Sequence, residues 1–106
     1  MRIKTVFSTY TITMLKRYIP EFYPVKKNQT LEEIAEAFFL PPAVLVAANN
    51  LKERPKEGEV LYIPKPSGNL YSVQAGESKT LLCGSEENYE KKNKTTILYP
   101  GQKVFL

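Results

Sequence analysis

The spacing of apolar side chains changes period several times along the 106-residue chain. Over the first twenty residues it is strand-like: Val6, Ser8, Tyr10, Ile12 and Met14 fall on one side, and Phe7, Thr9, Thr11 and Thr13 on the other. Residues 1–20 therefore read as an N-terminal β segment, one strand or two short ones, stopped by Pro20. Phe22-Tyr23-Pro24-Val25 starts a second extended run, and Pro24, which cannot donate to a strand ladder, places part of it at a sheet edge. The polar stretch Lys26-Lys27-Asn28-Gln29 then forms a loop.

Thr30-Leu31-Glu32-Glu33 has the S/T-x-x-E form of a capping box. The Thr30 hydroxyl accepts the Glu33 N–H while the Glu33 carboxylate accepts the Thr30 N–H, so a helix starts there. Leu31, Ile34, Ala35 and Phe38 recur at i, i+3, i+4 and i+7 and give that helix one core-facing stripe, with Glu32, Glu33 and Glu36 in water. Pro41-Pro42 ends it, and Pro42 suits the first turn of another helix through 43–48, closing near Asn49-Asn50. A charged loop from Lys52 to Glu59 leads to Val60-Leu61-Tyr62-Ile63, a strand stopped by Pro64. Residues 21–65 are thus predicted to be an α+β domain of order βααβ, with two helices packed on one face of a two-stranded antiparallel sheet.

After a linker at 66–69 the pattern restarts. Tyr23 to Thr30 superposes on Tyr71 to Ser78 at a separation of 48 residues, and Gly58 to Ile63 on Gly101 to Leu106 at 43. The second copy, residues 70–106, is five residues shorter in between. Its middle has weak apolar periodicity, so one of its helices is expected to be shortened or missing.

Composition narrows the chemistry. There is no His, no Trp and no Asp, Cys83 is the one cysteine, and all eleven acidic residues are Glu. Those counts remove Ser-His-Asp and Cys-His nucleophile sites, paired-cysteine and HExxH zinc sites and EF-hand loops. The adjacent pairs Glu32-Glu33 and Glu86-Glu87 point to different sides of a helix and imply no cleft. A binding protein without cofactor or metal is expected, not an enzyme. A single Cys forms no intramolecular disulfide, and no run of 18 apolar residues spans a bilayer. The first residues lack the apolar core and small-residue cleavage site of a secretory leader, so synthesis in the cytoplasm is expected. The net charge of +4 is uneven, with Arg2, Lys4, Lys16 and Arg17 unopposed at the start and the 21–64 stretch net negative. Basic ends favour an anionic polymer, but no nucleic-acid-binding module is recognisable and none is expected as a partner.

Tyr23-x-Val25-x-x-Asn28-Gln29-Thr30-Leu31-x-x-Ile34-Ala35-x-x-Phe38, followed by Leu45, Asn49-x-Leu51 and Gly58-x-x-Leu61-x-Ile63-Pro64, resembles the LysM module. The second copy resembles a degenerate LysM, with Lys79 in place of Leu31. Where the family usually has Gly-Asp before the Thr, this chain has Asn28-Gln29, and Asn28 can adopt the positive φ a glycine would supply. The resemblance implies a non-catalytic module for N-acetylglucosamine-containing glycans such as peptidoglycan or chitin-type oligomers. The implied groove has Asn28, Gln29, Thr30 and Leu31 on one wall and Asn49, Asn50 and Leu51 on the other, with a weaker counterpart at Gly76, Glu77 and Ser78. Thr30 and Asn49 also read as helix caps, and Leu31 and Leu51 as core. A structural or protein-adaptor role in a bacterial assembly, such as a spore coat or phage tail, is the alternative, and action at the cell wall or spore envelope fits either.

Overall fold

A computed structural model describes residues 20–106. The expected N-terminal β segment lies outside the described residues. Strand β1 (Phe22–Pro24) pairs antiparallel with β2 (Val60–Tyr62), Phe22 opposite Tyr62 and Tyr23 opposite Leu61. The ladder continues past both ends, since Ile63 N–H donates to Glu21 O at 2.8 Å and Val25 N–H to Glu59 O at 2.9 Å. Pro24 costs nothing in a sheet of two strands, both of which are edges.

Between these strands lie α1 (Leu31–Ala37) and α2 (Pro42–Asn49). The capping box forms as expected: Thr30 Oγ1 accepts the Glu33 N–H at 3.1 Å, and Glu33 Oε1 accepts the Thr30 N–H at 2.8 Å. The stripe of α1 buries Ile34 and Ala35 completely, while Leu31 and Phe38 pack on the rim of the same cluster. Leu40, Val44, Leu45, Leu61, Ile63 and Val25 lie in the same cluster. Each large aliphatic side chain hidden there contributes roughly 1.5–3 kcal/mol. The Phe38 and Tyr23 rings meet nearly edge-on, with centroids 5.2 Å apart, and fasten the end of α1 to β1. Phe39 then turns the corner between the helices at φ +61°, a conformation rare for a bulky residue.

The second copy repeats this order with β3 (Leu70–Ser72), α3 (Lys79–Cys83), α4 (Glu86–Asn93) and β4 (Lys103–Phe105). β3 and β4 pair antiparallel, Tyr71 opposite Val104. Equivalent hydrogen bonds recur: Val73 N–H to Gln102 O at 2.9 Å, Gly101 N–H to Val73 O at 2.8 Å and Leu106 N–H to Asn69 O at 3.1 Å. The expected shortening falls on α3, five residues against seven in α1, and neither helix is missing. Ser78 and Ser85 cap the two helices by accepting the N–H of Leu81 and of Asn88, and Gly84 makes the left-handed corner between them.

The second core is small, with Val73, Tyr89 and Val104 fully enclosed. Phe105 instead joins the buried cluster of the first copy. Gly68 in the connection allows this, because a Cβ there would come within 2.7 Å of Leu106 O. No described helix is long and apolar enough to cross a membrane.

Candidate functional site

The first wall predicted from sequence is the turn between β1 and α1. Gln29 lies inside it: its Oε1 accepts from the Tyr23 hydroxyl at 3.0 Å and from Lys26 N–H at 3.1 Å. Its amide oxygen therefore shapes the turn. Asn28 sits at the tip with φ +61°, the glycine-like conformation its side chain tolerates, and is exposed. Thr30 caps α1, but its hydroxyl proton remains free to donate.

The second wall follows α2. Asn49 is a fastener: Nδ2 donates to Leu45 O at 3.0 Å and Tyr62 O at 2.9 Å, and Oδ1 accepts the Tyr62 N–H at 2.7 Å. This amide ties the last turn of α2 to β2 and has little left for a ligand. Asn50 is the helix's C-cap, left-handed at φ +51° and exposed. Leu51 follows with its N–H on Val46 O at 3.1 Å. Leu31 and Leu51 both rest, half-buried, on the first hydrophobic cluster, so one core positions both walls.

Of the seven expected residues, Asn28 and Asn50 thus offer outward amides, with no partner among the described residues. Thr30 offers a hydroxyl, and Leu31 and Leu51 offer partly exposed apolar edges. Gln29 and Asn49 hold the walls in place. None of the seven titrates, so the arrangement can bind through hydrogen bonds and apolar cover but cannot exchange protons with a substrate.

Two devices here escaped sequence reasoning, and both recur in the second copy. Asn93 repeats the fastener, with Nδ2 to Tyr89 O and Phe105 O, each 3.2 Å, and Oδ1 taking the Phe105 N–H at 2.6 Å. Glu77 repeats the Gln29 clamp, accepting from the Tyr71 hydroxyl and from Gln74 N–H. That hydrogen bond to a carboxylate raises the Tyr71 pKa above the usual phenol value. The signal was present in the repeat, since Asn ends the second helix of each copy. The groove lips differ. Lys79 stands at the Leu31 position, bonded to Glu90 at 2.7 Å and 5.8 Å from the centre of the Tyr89 ring, and Lys94-Thr95 replaces Asn50-Leu51. Gly76 and Ser78 are exposed, and the residue after Ser78 is Lys79 rather than a leucine.

These observations define a βααβ domain whose two sheet-flanking loops display exposed amides at Asn28 and Asn50. Residues 23–64 match the model of the LysM domain family. Two crystal structures of a spore cortex-lytic enzyme, SleL, are similar to the chain. That from Bacillus megaterium QM B1551 is 22% identical and that from Bacillus cereus 23%, each over 80% of this chain, with a TM-score of 0.39. The chain spans 22% of the length of either enzyme chain. A comparison with curated protein sequences gives no match.

Proposed function

We propose that residues 21–65 bind N-acetylglucosamine-containing glycans, peptidoglycan or chitin-type oligomers, in the groove between the β1–α1 turn and the α2–β2 connection, without catalysing a reaction. The observation that carries this reading is the pair of left-handed asparagines, Asn28 and Asn50, displayed on walls that other side chains have already fixed. Fixed walls lower the ordering cost of binding. Amides match the acetamido and hydroxyl groups of such a sugar, and Leu31 and Leu51 supply apolar cover for the acetyl methyl and the ring face. In this reading the second copy does not bind in the same manner, because Lys79 and Thr95 remove that cover.

The test is retention of the purified chain on insoluble peptidoglycan and on chitin at low and high salt. Asn28→Gly and Asn50→Gly keep the left-handed backbone and remove only the amides. Retention that survives salt and falls in these folded variants supports the groove. Retention abolished by salt in all proteins alike refutes it. A protein-adaptor role is favoured by one feature, the outer face of the first sheet, where Phe22, Val60 and Tyr62 are 58%, 59% and 42% exposed and the Phe22 and Tyr62 rings lie 5.9 Å apart. On that reading no glycan is retained at any salt concentration.

A further inference from the structure

A cleft of about 350 Å³ separates the two copies, away from the groove just described. One wall carries Glu32 and Glu36, four residues apart and so on one face of α1; the other is the α4–β4 loop, which presents Ile97 and Tyr99. Ile97 and Tyr99 are 59% and 54% exposed. The loop itself is firmly held. Tyr89 Oη donates to Ile97 O at 2.7 Å, Gln102 Nε2 donates to the same carbonyl at 3.1 Å, and Gln102 Oε1 accepts the Tyr99 N–H at 2.9 Å. Tyr89 and Gln102 are both buried. Two buried polar side chains thus fix a loop whose own large apolar side chains remain in solvent. Such rigid display suits recognition better than packing.

Charge selects the ligand. Lys103 also lines the cleft, yet the ion pair among the described residues is Lys79 with Glu90, elsewhere. Two carboxylates face one ammonium, a net negative site in a chain of net charge +4. A neutral acetylated sugar leaves those carboxylates unused. An amino sugar without its acetyl group carries an ammonium for Glu32 and Glu36 and an apolar ring face for Tyr99 and Ile97. We propose that this inter-copy cleft binds a glucosamine-type unit, an amino sugar bearing a free ammonium. The inference rests on the glycan reading above in supposing that both sites meet one kind of polymer, but its geometry is separate.

The test is calorimetric titration of the full chain with a glucosamine tetramer and, in parallel, an N-acetylglucosamine tetramer. Glu32→Gln with Glu36→Gln is expected to weaken the glucosamine tetramer roughly tenfold, as lost charge-assisted hydrogen bonds imply. Tyr99→Ala should do likewise, Tyr99→Phe should retain binding, and all should leave the acetylated tetramer unaffected. Asn50→Gly should show the opposite pattern. Absence of glucosamine binding overturns the proposal, as does binding indifferent to the Glu pair or to Tyr99→Ala. If the acetylated tetramer fails to bind while glucosamine binding still depends on Glu32, Glu36 and Tyr99, the groove reading fails and the cleft stands.

Discussion

The duplicated asparagine fastener allows an energetic comparison within one molecule. Asn93 and Asn49 make the same three hydrogen bonds, two from Nδ2 to backbone carbonyls and one into Oδ1 from a strand N–H. Their surroundings differ. Asn93 is fully buried and its partner Phe105 is 1% exposed, whereas Tyr62, the partner of Asn49, is 42% exposed. Asn93→Ala strands the Phe105 N–H away from water, at a cost of about 1–3 kcal/mol, and loses two further hydrogen bonds at roughly 0.5–1 kcal/mol each. The total is about 3 kcal/mol, or roughly 10–20 °C in Tm for a domain of this size. After Asn49→Ala, water can reach the Tyr62 backbone, so the loss is about 1 kcal/mol. Urea unfolding followed by far-ultraviolet circular dichroism measures both at constant m. An Asn93→Ala loss under 1 kcal/mol, or an Asn49→Ala loss equal to it or larger, would refute the reasoning that burial sets the value of the fastener.

Three other outcomes are expected. Thr30→Ala removes the hydroxyl half of the capping box and should lower stability by about 1 kcal/mol in the same urea assay, against no change for an exposed loop substitution such as Lys56→Ala. Phe105→Ala, in the last strand, should destabilise by about 3–5 kcal/mol and shift the unfolding of both copies together, because the ring lies in the first core; separate transitions would contradict this. Burial raises the Tyr89 phenol above its ordinary value near 10, so its contribution is complete below that pH and is lost as pH rises through the higher folded value. Alkaline melts should show a steeper stability loss for the wild type than for Tyr89→Phe.

Much of the first copy was legible because its elements rest on local rules. The capping box, the Pro41-Pro42 break and the i, i+3, i+4, i+7 stripe each act within one helix, and the structure follows them. The βααβ order of the second copy was less legible. In α4 the core face is Tyr89 and Asn93 among charged residues, so apolar periodicity is faint even though the helix is eight residues long, like α2. The contribution of Phe105 to the first core depends on how the copies pack, which no spacing encodes. At the groove, types and positions were readable, but not which polar atoms were already used. Gln29 was expected on a groove wall and Asn49 there or as a helix cap; in the structure Gln29 Oε1 is held by Tyr23 and Lys26, six and three residues away, and Asn49 by the backbone of Leu45 and of Tyr62, the latter thirteen residues away.

The central claim is that the two asparagine-tipped walls form one glycan groove. The most direct measurement is a residue-resolved NMR titration of the full chain with an N-acetylglucosamine tetramer. The account predicts saturable shifts at the backbone amides of Asn28, Thr30, Leu31, Asn50 and Leu51, reduced in Asn28→Gly and Asn50→Gly and absent from Gly76 to Lys79. An unchanged spectrum, or shifts confined to the second copy, would contradict it.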